Sequence, residues 1–245
     1  MLRFPVVMKT PDGDSPEEEQ ARESTIHYVV AASGVFQVRE LPTHRSVTRV
    51  VGSIPGLPDE AERVELRVPR LPRTLLEDTL AFFDEVHRRY DGEAIVIIFY
   101  DPAKREFQLG VPAQRISAYV DYYGRRWAGA HLDYDAVALP DGFVRLGTIH
   151  GHGAMAAYAS HTDCEDERFE DGLHVVFGSF EGPALSRSAA FVAGGRRFAL
   201  EPDSVLEPCA VPDHDAPAGW MDRVHHTETR WKPYVAGSGG SHGHA

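Results

Sequence analysis

The sequence predicts an α+β protein, in which a mixed sheet flanked by helices follows a β-rich N-terminal extension. Three observations carry this. Residues 26 to 68 break into short β-prone runs punctuated by Gly and Pro, an amphipathic helix over about 74 to 89 leads into the apolar run 94 to 100, and a strand over 144 to 149 precedes a short acidic helix and further strands. Strands and helices grouped in this way bury their apolar faces as layers around one core.

From the N-terminus, the polar, acidic stretch Thr10 to Glu23 reads as a loop or as disordered. Ile26 to Ala31 and Val35 to Glu40, either side of Ser33-Gly34, read as a β-hairpin. A second strand pair is expected at Ser46 to Val51 and Arg63 to Val68, separated by Ile54-Pro55-Gly56-Leu57-Pro58, and Pro69 and Pro72 close the extension, residues 1–70. The next region spans 71–200. Its first helix carries Leu76, Leu80, Phe83 and Tyr90 on one side and Glu77, Asp84 and Arg88 on the other, the stripe of an amphipathic helix. Asp91-Gly92 breaks that helix, and Glu93 leads into Ala94 to Tyr100; Phe99 to Phe107 reads as strand, turn and strand. Gly172 to Gly178 reads as a core strand, and Ser188 to Val192 with Arg196 to Leu200 as a hairpin about Gly194-Gly195. The last region, 201–245, is rich in Pro, Asp and His and ends in a Gly/Ser-rich run holding His242 and His244; it reads as a largely flexible tail, in which Trp220, Met221, Val224 and Trp231 form a modest apolar cluster.

Most of the chemistry lies between residues 150 and 163. His150 and His152 stand at the end of the strand that follows the turn Pro140-Asp141-Gly142, and side chains two apart on a strand share a face. Asp163 follows eleven residues after His152, and Ser160 stands three residues before Asp163. Two imidazoles and a carboxylate supply three protein ligands to a divalent ion, and a zinc with three protein ligands keeps a position open for water, the arrangement of a catalytic site. Ala154 to Tyr158 reads as a short helix or tight loop, and Ser160 opens the acidic helix, where Ser with Asp three residues on resembles a capping box. Ser160 therefore has two compatible readings, as helix cap and as active-site donor. His87, His131, His161 and His174 read as ordinary surface or satisfied core residues, and Cys164 as a small, partly buried one.

His-x-His followed by Ser-x-x-Asp at this spacing, with Glu93 upstream at the start of a strand that follows a helix, resembles the signature of the JAB/MPN (JAMM) zinc metalloproteases. The resemblance covers roughly residues 73 to 200. One departure is Gly153, where eukaryotic members usually carry proline, which puts the rigidity of the loop in question and leaves the ligand set intact. The resemblance implies an MPN-like fold, one Zn2+ per chain held by His150, His152 and Asp163, Glu93 as general base and then general acid, and Ser160 as a hydrogen-bond donor to the oxyanion. It further implies cleavage of a peptide or isopeptide bond after the C-terminus of a ubiquitin-like protein, in deconjugation or precursor processing. Related bacterial systems pair such enzymes with E1-like and E2-like proteins, some in antiphage operons. Processing of a sulfur-carrier precursor or of a cell-wall peptide would use the same site.

Composition narrows the class. The chain has 245 residues, 42% of them hydrophobic, as expected of a globular protein. A formal net charge of -12 argues against a nucleic-acid partner, which would call for clustered Lys and Arg. Two cysteines, Cys164 and Cys209, give no disulfide framework and fit a cytoplasmic setting; no apolar run is long enough to span a bilayer. Two other classes share the ligand set: a catalytically inactive MPN scaffold, and a non-haem iron oxygenase, whose facial triad is also two histidines and a carboxylate.

Overall fold

The run Ala94 to Tyr100 is apolar on both faces, the pattern of a strand covered on both sides, and in the computed structural model Ala94–Asp101 is an inner strand of the largest sheet with every residue buried. The structure describes residues 4–10, 20–52 and 58–230, with only the backbone at 51, 126–131 and 166. The expected loop at 10 to 23 lies mainly outside the described residues, as do most of the expected turn at 54 to 58, the His131 side chain and the Gly/Ser-rich terminus.

The elements follow in the order β1 Val6–Met8, β2 Ile26–Ala31, β3 Gly34–Glu40, β4 His44–Val51, β5 Arg63–Leu66, α1 Arg73–Tyr90, β6 Ala94–Asp101, β7 Glu106–Gly110, β8 Gln114–Val120, β9 Arg126–Tyr134, β10 Val144–Gly151, α2 His161–Glu167, β11 Gly172–Gly178, β12 Ser186–Ala193, β13 Arg196–Leu200, α3 Pro202–Val205, a 3-10 turn at Met221–Arg223 and β14 Val224–Arg230. They build three sheets, in the orders β1-β2-β3-β4-β5, β13-β12-β11-β10-β6-β7 and β14-β8-β9. The protein is α+β and β-rich. In the six-stranded sheet β10 and β11 are parallel and the other pairs antiparallel. A parallel pair needs a crossover, and the segment from His152 through α2 supplies it.

Helix α1 covers one face of this sheet. Leu76, Leu80, Phe83 and Val86 pack with Val96, Ile98, Ile149, Val175 and Phe177. The approach is close: a Cβ on Gly151 would lie 2.6 Å from the Phe83 ring. On the other face Ile95, Ile97 and Phe99 form a second cluster with Leu132, Tyr134, Val137 and Phe143. Strand alternation puts Glu93 with Ile95, and Thr148 and His150 opposite Ile149, so the candidate site faces away from α1.

The N-terminal sheet is joined to this body. Its own cluster is Val29, Ala31, Phe36, Val38 and Val47, while Val64 and Leu66 of β5 pack on the main core. The His44 ring lies 4.5 Å from that of Phe191, and Arg39 and Glu62 pair with Asp171 and Arg196. Residues 202 to 230, which composition presents as a flexible tail, are built in: α3 bridges back to the start of α1 through Leu71 and Leu206, Trp220 meets Phe82 edge-on at 5.5 Å, and β14 runs parallel to β8. Among the described residues no helix is long and apolar enough to cross a membrane.

His44 gives the fold an acid sensitivity. Burial, aided by the charges of Arg39 and Arg67 against that of Asp171, lowers its pKa from 6.5 to about 4. The unfolded chain then binds a proton that the folded chain refuses, so this stability is present above pH 6.5 and is lost as pH falls towards 4. The slope is about 1.4 kcal/mol per pH unit. We expect the urea midpoint to fall more steeply between pH 7 and pH 5 for the wild type than for His44→Gln, by ~2 kcal/mol at pH 5; parallel curves would show that His44 titrates normally in the fold.

Candidate metal centre

Strand β10 delivers His150 and His152 to the sheet face opposite α1, and the chain then turns through Gly153 to Ser160, the N-cap of α2. Of the two expected forms for 154 to 158, short helix or tight loop, the structure has the loop, tied down by its backbone. His152 N–H donates to the Phe177 carbonyl at 2.8 Å, Phe180 N–H to that of Gly153 at 3.0 Å, and Ala157 N–H to Ser186 Oγ at 2.8 Å. Gly153 has φ 54°, and a Cβ there would lie 2.7 Å from Nδ1 of the buried His87, whose Nε2 is 3.1 Å from Glu181 Oε1. Proline cannot adopt this φ, so in this chain glycine is what allows the tight loop. We expect Gly153→Ala to destabilise the protein by about 1–3 kcal/mol, read as a lowered urea midpoint; an unchanged midpoint would mean the loop has another path.

Glu93, His150, His152, Ser160 and Asp163 all line one cavity of about 330 Å³. Ser160 and Asp163 form a reciprocal capping box: Asp163 N–H donates to Ser160 Oγ at 3.1 Å and Ser160 N–H to Asp163 Oδ2 at 2.8 Å. In the cap Oγ accepts from the Asp163 N–H, and the Ser160 hydroxyl also contacts the Asp163 carboxylate. Asp163 Oδ2 is 3.6 Å from His152 Nε2, beyond a hydrogen bond and near the ~3.4 Å that two ligands of one tetrahedral zinc keep at bond lengths of about 2.0–2.1 Å.

The charges fit a cation. Burial lowers the His150 pKa to about 4, so its imidazole is neutral, the form that binds metal. Burial would also depress His152, but the Asp163 and Glu93 carboxylates outweigh it and raise it. Asp163 is held well below the carboxylate range because His152, His150 and the two Ser160 contacts outweigh burial. Glu93 is raised, first by burial and then by Asp163, with His152 opposing, the direction that suits a general base. The buried His152 Nδ1 has no hydrogen-bond partner. Among the described residues no three His, Cys, Asp or Glu side chains are grouped closely enough to hold a metal ion as they stand. His152 and Asp163 meet as a pair, with His150 coupled to both through charge.

The cavity wall adds residues that sequence reasoning passed over. Thr148 shares the face of His150, and its signal is the two-residue period. Glu167 lies one helical turn beyond Asp163, on the same side of α2. Leu132 and Tyr134 come from β9, and Met155 and Tyr158 from the loop; Tyr158 meets the His152 ring edge-on at 5.3 Å. His174, read as an ordinary core histidine, is buried with partners at both ring nitrogens and also lines the cavity. His87 is a satisfied buried residue and His161 an exposed one, as expected. Cys164 departs from expectation: it is exposed, because its position on α2 faces away from the sheet. No family model matches the chain, and no curated protein does.

Proposed function

We propose that the protein is a zinc-dependent peptidase or isopeptidase of the JAB/MPN type, with an MPN-like fold, acting after the C-terminus of a ubiquitin-like protein. The observation that carries this is the convergence of all five candidate residues on one cavity, with Glu93 arriving from the segment just before β6 and the histidines from the end of β10. His150, His152 and Asp163 would hold the ion; bound Zn2+ would polarise the scissile carbonyl and acidify water. Glu93, its carboxyl raised by burial, would take a proton from the attacking water and return it to the leaving amine. Ser160 would donate its hydroxyl proton to the oxyanion of the tetrahedral intermediate.

Substrate access supports the same reading. Leu132, Tyr134, Met155 and Tyr158 give the cavity an apolar side, and β9 is an edge strand of its sheet. An extended chain terminus laid along that edge would gain main-chain hydrogen bonds on its way to the site. E1-like and E2-like partners and an antiphage operon follow from the resemblance and belong to this proposal, as do a cytoplasmic location and the absence of a nucleic-acid partner, which rest on the cysteine count and the net charge.

The test is a ubiquitin-like protein fused through its C-terminal glycine to a reporter. Cleavage at the junction that is lost on chelation and restored by zinc is the expected result. Restoration of metal binding by Fe2+ alone would favour the oxygenase reading, and zinc binding without cleavage the scaffold.

A further inference from the structure

The cavity holds a second set of donors for which the proposed hydrolysis has no use. His174 Nε2 lies 3.2 Å from the Glu170 carbonyl oxygen, so the ring carries its hydrogen there and Nδ1 keeps its lone pair. Facing Nδ1 at 3.4 Å is Oε1 of Glu167, a side chain from a residue 5% exposed whose Oε1 has no hydrogen-bond partner. The other Glu167 oxygen is bound by Arg197. Because His174 is neutral, its pKa lowered by burial to about 3, this approach is not an ion pair. Thr148 Oγ1, 3.0 Å from Nδ1, serves the nitrogen and leaves the carboxylate oxygen unserved. A buried acceptor without a donor is costly.

The geometry is that of two ligands. Their 3.4 Å separation matches the ~3.4 Å expected of a nitrogen and an oxygen on one tetrahedral ion. Their outer partners match too: a ligating histidine commonly donates its other N–H to a backbone carbonyl, and a ligating carboxylate is itself hydrogen-bonded; here these are Glu170 O and Arg197.

We propose a second divalent-cation site, with Glu167 Oε1 and His174 Nδ1 as its donors and Thr148 Oγ1 as a third, weaker one once its proton turns away. It is distinct from the His150, His152 and Asp163 set and does not depend on the hydrolase reading. An ion here would tie α2 to β11, and thereby hold the helix that carries Asp163. With two strong protein donors, it binds zinc more weakly than the three-ligand set.

Zinc titration of the chelator-stripped full chain, in competition with a chromophoric chelator, tests this. The wild type should take up two equivalents, the weaker of which disappears in Glu167→Gln, a change of nearly the same shape whose fold is checked by circular dichroism. Arg197→Met leaves both donors in place and should weaken that second equivalent by about 10- to 100-fold. Asp163→Asn should weaken the first equivalent and spare the second. A single wild-type equivalent that Asp163→Asn removes and Glu167→Gln leaves would overturn the second site while keeping the first; it would mean that a proton on Glu167, shared with His174, fills the gap. A single equivalent lost in Glu167→Gln and kept in Asp163→Asn would support the second site and sink the first.

Discussion

Glu93→Gln should slow cleavage of a ubiquitin-like fusion by about 10²- to 10⁴-fold while the zinc content stays at the wild-type level, because it removes proton transfer and nearly nothing else. The amide keeps the shape of the carboxyl on the cavity wall, and Glu93 is not among the three proposed ligands. Burial and the Asp163 charge already bias the Glu93 carboxyl towards holding a proton, so the protein favours proton exchange at this position over a permanent negative charge. Single-turnover cleavage and metal analysis on the same preparation check the expectation. A variant that keeps its zinc and cleaves at near wild-type rate would remove Glu93 from the chemistry.

Asp163→Asn should have the other large effect, on zinc itself. Asparagine still offers an oxygen to the Ser160 N–H, so the capping box of α2 can persist. What is lost is the anionic ligand, together with the charge that raises His152. Loss of an outer-shell partner alone typically costs 10- to 100-fold in metal affinity, and loss of a ligand should cost at least about that much. Competition with a chelator measures it, and helix content by circular dichroism separates the ligand role from the cap. Equal zinc affinity in the two proteins would take Asp163 out of the ligand set.

The parts of this fold that were legible in sequence are those governed by short periods. The two-residue repeat put His150 and His152 on one face, the helical stripe bounded α1 to within a residue at each end, and the Ser-x-x-Asp spacing announced the capping box that the structure contains. What escaped depends on contacts between distant segments. β14 reads Val-His-His-Thr-Glu-Thr-Arg, in a region rich in Pro and His, and becomes a strand because β8 lies alongside it. Glu167 and His174 looked ordinary because each is defined by the other, across a helix and a neighbouring strand. Cys164 was misjudged because α2 is short and only the Asp163 and Glu167 side of it meets the sheet.

Strand β4 shows how far the N-terminal sheet is bound to the rest. Val47 fills the sheet's own core while His44 lies against Phe191 of β12, so the two faces of one strand serve two cores. A segment with that double duty is poor currency for evolutionary exchange. A lineage that replaced residues 1–70 with another segment would have to find a new partner for Phe191 and a new cover for the core beside Leu66. Sequence variation is therefore expected to accumulate in the loop Met155 to Tyr158 beside the cavity, while the strands beneath it are inherited as one block.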